Sequence, residues 1–490
     1  MKKFLLLFFS FIFCLSFVGC KNNSSNAHLS TYNLDLTYEH ENKCLIGKES
    51  LDYVNNYDEP LSELCLHLYP NAFREGSKQS VVSLSNHAQA YPNGTSYGNI
   101  EIENVLLNEK TWQYEIGGFD ENILKIVFDQ PLYPNSSCKI DISFKVFLPN
   151  INHRFGYGEN TVNLGNFYPV ACVFEDGEFM TKPYSSNGDP FYSQMANYEV
   201  NIKFDEKLKL ASTGEIFEEK TENGFKQSKI KAKNVRDFAM VLSEKFEVIT
   251  KQVEKTKVLY YYYSDKQSND SLETSCRALQ TFNEMIGDYP YSTLSVVESN
   301  FVHGGMEYPN LVYISDNLSS YEDYTNVIVH EIAHQWWYNL VGSNAFKNGW
   351  QDEGLTDYTT AMFYEKNPSY NIDKNNIIKN GIKSYTFFVD VYTSVYKELD
   401  TSMTRALDEY STEPEYVYMA YVKSMLMFDS LRSLVGDKDF FNGLKLYFET
   451  YKFKEASPAQ MISCFEKASK KDLEGFFNSW LDGKILIISN

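Results

Sequence analysis

No cluster of Lys or Arg interrupts the acidity of this chain, in which 65 acidic residues outnumber 45 basic ones for a formal net charge of −20. Phosphate recognition needs a basic footprint, so nucleic acid is excluded as a partner. Cysteine pairs at metal-binding spacing are missing too: the eight cysteines include no CxxC, which excludes a thiolate metal site and a dense disulfide scaffold. Cys44, Cys65, Cys138, Cys172, Cys276 and Cys464 are expected mostly as small buried hydrophobes. Internal repeats are absent, and the longest apolar run, residues 4–18, is too short to span a bilayer comfortably. What the chain does have is apolar and aromatic material, 43% and 16% of 490 residues, enough for two or three packed domains.

That apolar run follows Lys2 and Lys3 and stops at Gly19-Cys20, the layout of an export signal. A Cys directly after the run resembles a bacterial lipoprotein signal, with Phe17 standing where a Leu is usual. Residues 1–20 are therefore expected as a lipoprotein signal, with lipid on Cys20 and membrane attachment at the extracytoplasmic face; plain secretion is the alternative. The polar residues 21–27 then serve as a tether.

From Tyr32 to Val248 the pattern is one of short alternating runs broken by Asn, Gly, Pro and Asp. YNLDLTY, ILKIVF, CKIDISFKVFL, YEVNIKF and DFAMVLSEKFEVI all read as strands. After about Asp270 long amphipathic segments take over, with a strand pair near STLSVVES and MEYPNLVYIS. Ser457-Pro458 marks the start of one late helix. The expectation is an all-β domain over 28–245 followed by a mainly helical domain over 246–487.

Within the helical half, residues 330–334 read HEIAH. Positions four apart share a helix face, so His330 and His334 can offer two imidazoles to one ion, with Glu331 beside the open position to take a proton from water. Two histidines on an otherwise apolar face are costly to bury unsatisfied, which argues against mere packing. After eighteen intervening residues, Glu353 opens the next helical pattern and is the candidate third ligand. Two His, one Glu and an open position make a catalytic zinc arrangement, and these donors suit zinc better than calcium or magnesium.

HEIAHQWW with Glu353 at this spacing resembles the aminopeptidase N family of zinc metallopeptidases, the gluzincins, which also includes leukotriene hydrolase. HGGMEYP at 303–309 is similar to the family's GxMEN exopeptidase motif, with Tyr308 where Asn is usual. The resemblance implies that Glu307 binds the substrate's α-amine and that Gly304, Gly305 and Met306 line the substrate strand. YMAYVKSMLMF, followed by LRxLxGDxxF, implies that Tyr421 stabilises the transition state, with Tyr416 as a candidate for support. A second amine-binding residue belongs in the β domain, where Asn160 and Asn163 are the candidates.

YNLDLTYEH, LHLYPNAF and DPFYSQMANYEVNI resemble the family's N-terminal domain, and FFNSWLDG resembles the end of its catalytic domain. The fold implied is a saddle- or sandwich-like β domain followed by a thermolysin-like α/β domain. The family's large C-terminal helical domain is missing, which implies a more open cleft. The expected activity is removal of N-terminal amino acids from peptides with one zinc ion. A zinc endopeptidase and a non-catalytic surface-binding lipoprotein are the alternatives, while nothing in the sequence points to a lipid epoxide as substrate. Side-chain preference and oligomeric state are not legible.

Overall fold

The computed structural model describes residues 28–485 and residue 487; the signal-like segment with Cys20 and the tether lie outside them. The first half builds a mixed sheet of eight strands. Its middle is the strand Ser30–Glu39, parallel to Ala196–Asp205 on one side and antiparallel to Cys44–Val54 on the other. The period of two is visible in burial: Tyr32, Leu34, Leu36 and Tyr38 point inward while Asp35 stays outside. Two four-stranded sheets lie in the same hydrophobic core, one ordered around Ala239–Ser243 and Val162–Gly165, the other around Leu61–His67 and Ile123–Leu132.

DFAMVLSEKFEVI splits in the structure. Ala239–Ser243 closes the β half, whereas Glu247–Val253 is the first strand of a separate five-stranded sheet. That sheet runs Glu247–Val253, Thr256–Tyr262, Thr293–Ser299, Leu311–Ser315 and Gly305–Met306, so the expected strand pair is part of something larger. Its inner strands are parallel, and the two-residue Gly305–Met306 strand lies antiparallel at the edge. An edge strand keeps one side of its backbone unpaired, available to another chain.

Helices cover this sheet and form a second core that includes Trp336, Trp337, Trp350 and Phe428. The late helix is Pro458–Ser469, with Ser457 accepting from the Gln460 N–H and Gln460 reaching back in a capping box. Sequence reading passed over the helix Lys374–Tyr396, whose β-branched and aromatic residues are weak helix formers. The six described cysteines are buried and unbridged.

The two halves are fastened by Arg236, from the β half. Its guanidinium donates to the carbonyls of Tyr338 at 2.7 Å, Asn339 at 3.1 Å, Ser193 at 3.1 Å and Lys454 at 2.5 Å, and pairs with Glu455 at 2.6 Å. Gly342 makes room for it, since a Cβ there would overlap the guanidinium carbon. Arg236→Met removes the donors to several buried carbonyls at once, and is expected to cost about 2–4 kcal/mol and lower the melting temperature by about 2–4 °C. A calorimetric scan showing no shift would mean that water satisfies those carbonyls equally well.

Candidate metal and active site

The helix Tyr321–Ala333 begins where Ser320 accepts a hydrogen bond from the Asp323 N–H, and buries Ile328, Val329, Ile332 and Ala333. This burial fixes its rotation, so His330 and His334 emerge together at its C-terminal end. The apolar pattern continues through QWWYNLV, yet the helix stops at His334. Trp336 Nε1 is held by the Gly287 carbonyl at 2.7 Å, and Tyr338 takes up a φ of 135°, turning the chain toward the β half.

Glu353 comes from the helix Ala345–Lys366, which crosses behind the motif. The Nε2 atoms of His330 and His334 are 3.1 Å apart, and Glu353 Oε2 lies 3.1 Å from His334 Nε2 and 3.5 Å from His330 Nε2. Ligands at 2.0–2.1 Å around a tetrahedral ion are separated by about 3.3 Å. Those three atoms thus already sit at the corners of such a site, with a fourth corner free of protein ligands among the described residues.

The other ring nitrogens are occupied, leaving each Nε2 to face the same point. His330 Nδ1 pairs with Asp357 Oδ1 at 3.0 Å; His334 Nδ1 donates to the Trp337 carbonyl at 2.8 Å and has Thr356 Oγ1 at 3.2 Å. Asp357 was legible in principle, because it follows Glu353 by four residues on one helix face.

The protein's own charges leave this place short of a cation. Burial works against protonating His330 and His334, but Asp357 and Glu353 raise the first well above its ordinary range, and Glu353 with Glu307 brings the second up to about 10. Glu353, though buried, is held below the usual carboxylate range by the two imidazoles. A dication at this point supplies the positive charge that the acids otherwise draw from protons.

Glu331 is 5% exposed and its Oε2 has no protein partner. Burial raises its carboxyl to about 7, with Glu353 and Asp189 adding to the rise against the pull of the two imidazoles. It faces a cleft of about 300 Å³ together with Gly304 and Gly305. A Cβ at Gly305 would overlap the Glu331 carboxylate, so here glycine admits the acid; at Gly304 a Cβ meets only Val327 at 3.4 Å.

Met306, expected along the substrate strand, turns the opposite way and is buried in the core shared with Tyr308 and Leu311. Alternation along the edge strand is the reason: neighbours in a strand face opposite sides. Tyr308, the departure from the motif, sends its hydroxyl to Asn166 Oδ1 of the β half at 2.8 Å.

Glu307 is 5% exposed, and burial followed by the charge of Asp189 pushes its carboxyl well up. Carboxylate oxygens of Asp189, Glu307 and Glu353 lie within 4.8 Å of one another. Asp189 is thus the β-half residue that reaches the site, and it is anchored by Arg154 at 2.5 Å. Neither Asn candidate does so. Asn163 is spent on the carbonyls of His153 and Asn300, and Asn160 Oδ1 accepts from Lys245. Asp189 sits in an irregular SSNGDP loop where no periodicity announces a direction, so only tertiary folding reveals it.

Tyr421 donates to Glu353 Oε1 at 2.6 Å and stacks on the His330 ring with centroids 6.1 Å apart. It lies in a π-helical turn, Tyr418–Lys423, between the helices Glu413–Val417 and Ser424–Val435. Such turns hold one residue more than α-helix and occur often at functional sites. Gly354 lets this turn close on the glutamate helix, since a Cβ there would overlap Ser424 Oγ. Tyr416 also lines the cleft, its ring 5.9 Å from that of Tyr421 and its hydroxyl packed near Gly188 and Gly349.

Residues 270–480, which carry all of these groups except Asp189 and Arg154, match the Peptidase family M1 domain. Over these residues the chain is similar to peptidase family M1. Aminopeptidase N of Lactococcus lactis subsp. lactis is 28% identical over 177 residues, covering 35% of this chain and 20% of that protein. Aminopeptidase N of Lactobacillus delbrueckii subsp. lactis is 27% identical over 312 residues, 59% of this chain and 36% of its own. The chain therefore spans about a fifth to a third of the length of these relatives. The M1 zinc metallopeptidase from Deinococcus radiodurans shares the fold of nearly the whole chain, with a TM-score of 0.65 at 16% identity and 94% of each chain covered.

Proposed function

We propose that this chain is a zinc-dependent aminopeptidase. The observation that carries the reading is the meeting of two sets of acids: Glu331 beside a His330–His334–Glu353 triangle of metal dimensions, and Glu307 with Asp189 next to it. One zinc ion held by the triangle supplies a Lewis acid that polarises a carbonyl and makes water easier to deprotonate. Glu331 takes the proton from the attacking water and passes it to the departing amine, serving as base and then acid. Tyr421 turns its hydroxyl from Glu353 toward the carbonyl oxygen as negative charge gathers there, an interaction worth more in the transition state than in the substrate. Glu307 and Asp189 pair with the ammonium group of the first residue, so that only a chain end gains from binding here.

The test is hydrolysis of free aminoacyl amides beside their N-acetylated counterparts, with and without a chelator. Chelator-sensitive cleavage of the free amides alone is expected, and Glu307→Gln is expected to reduce it by about 10²-fold. Equal cleavage of blocked peptides would move the chain to the endopeptidase reading; tight zinc binding without any cleavage would make it a binding protein.

Surface attachment is also proposed, through lipid on Cys20. Support comes from Lys2-Lys3, the apolar residues 4–18 and the small residue before the cysteine. Recovery of the expressed protein from the detergent phase, lost in Cys20→Ala, is the expected result.

A further inference from the structure

The catalytic cleft continues past its mouth. Ser185, Ser186 and Glu413 line both the cleft and a second depression of about 720 Å³, more than twice its volume. One wall of this groove is the helix Lys374–Tyr396, where Phe388, Tyr392 and Tyr396 follow at intervals of four and share a face. The rings are set in a row: Phe388 stacks on Tyr418 at 4.2 Å, and the centroids of Tyr392 and Tyr396 are 4.6 Å apart. The opposite wall carries Leu407 and Tyr410, and Leu84 stands at the rim, 93% exposed.

Polar groups around the groove are largely spent on one another. The Asn187 amide donates to the carbonyls of Leu407 and Tyr410, and the Arg405 guanidinium covers the Tyr410 ring at 4.1 Å. Its two carboxylates have partners as well, Asp408 facing Lys182 at 3.7 Å and Glu413 accepting from the Asn86 amide at 3.3 Å, which leaves the aromatic rings of one wall as its unpartnered surface. Phe388, Leu407 and Tyr410 are already buried and form the floor, whereas Tyr392, Tyr396 and Leu84 keep apolar surface in water that an incoming chain can cover. The cleft itself has room for the residue or two around the bond being cut, so a longer peptide must place its remainder elsewhere.

Building on the aminopeptidase reading, we propose that this groove holds the downstream residues of an oligopeptide whose first residue occupies the cleft, and that it favours apolar and aromatic side chains there. Because the groove is continuous with the cleft, its occupant is tethered to the reacting end, and weak contacts along it act at high effective concentration. The binding they contribute appears in kcat/KM for long substrates and is absent for single aminoacyl amides.

The experiment compares Ala-aminomethylcoumarin, Ala-Ala-Phe-Phe-Ala and Ala-Ala-Asp-Asp-Ala on the wild type and on the double variant Leu84→Ser/Tyr396→Ser. Both positions are exposed, 93% and 60%, so the fold tolerates the change. The wild type is expected to favour the Phe pentapeptide over the Asp one by about tenfold in kcat/KM. The variant is expected to lose most of that preference while hydrolysing the coumarin substrate as before. Equal rates on both pentapeptides, or an equal loss on all three substrates in the variant, would overturn the groove. No hydrolysis of the coumarin substrate by the wild type would instead remove the aminopeptidase reading, and the groove's role with it.

Discussion

Glu331→Gln is expected to lower kcat by about 10³-fold, within the range that a positioned proton-transfer group contributes, while metal content stays that of the wild type. Both halves of this expectation come from geometry. Glu331 lies outside the triangle made by His330, His334 and Glu353, so the amide removes no ligand. Gln has the same shape as Glu and fits the space that Gly305 leaves, whereas a smaller residue would open a void and blur the result. Steady-state kinetics together with elemental analysis of the same preparation decide the matter. A variant within tenfold of the wild type would mean that another group accepts the proton. Asp189 and Glu307 are the nearest candidates, and the same assay on their amides would say which.

Removing a ligand should be more drastic and fail differently. Glu353→Gln keeps the side chain's size but takes away the charge that faces both imidazoles, and it is expected to lose its zinc on dialysis against a mild chelator, with activity falling by at least about 10³-fold. The wild type should lose activity on chelation and regain it when zinc returns. Stability follows occupancy: a ligand present at 1,000 times its Kd stabilises the folded state by about 4 kcal/mol, so the metal-loaded wild type should melt well above its chelated form. In Glu353→Gln the two melting curves should coincide. Persistent stoichiometric zinc in this variant would show that the metal sits elsewhere, with Asp189 and Glu307 the first place to look.

Legibility in the sequence followed distance along the chain. His330, Glu331 and His334 lie within one helical turn or so, where periodicity alone predicts a shared face, and Glu353 is reached from them by a single connection. Tyr421 is 68 residues beyond Glu353, and only the resemblance of its surrounding segment singled it out among 37 tyrosines. Asp189 had no such signal. It enters the site from the β half, through an irregular loop, in a position set by how the two halves dock, whereas Asn160 and Asn163, the candidates the sequence offers, are spent elsewhere. Met306 departs from the expectation for a simpler reason: Gly305 and Met306 are adjacent in one strand, and adjacent residues cannot both face one cleft. The two-half architecture was legible because period-two and helical patterns separate cleanly along the chain. The five-stranded sheet was only half seen, since Glu247–Val253 directly continues the pattern of the preceding β strand in sequence.

The π-turn at Tyr418–Lys423 has a consequence for how such a site can change over time. An α-helix advances about 100° per residue, so inserting or deleting a residue in a regular helix swings everything after it to a new face and wrecks the packing. A π-turn absorbs one surplus residue locally, leaving the helix Ser424–Val435 in register with its neighbours. The turn is itself packed, with Met419 and Ala420 in the second core, so the surplus residue sets where the phenol of Tyr421 stands against Glu353 while the helix beyond keeps its register.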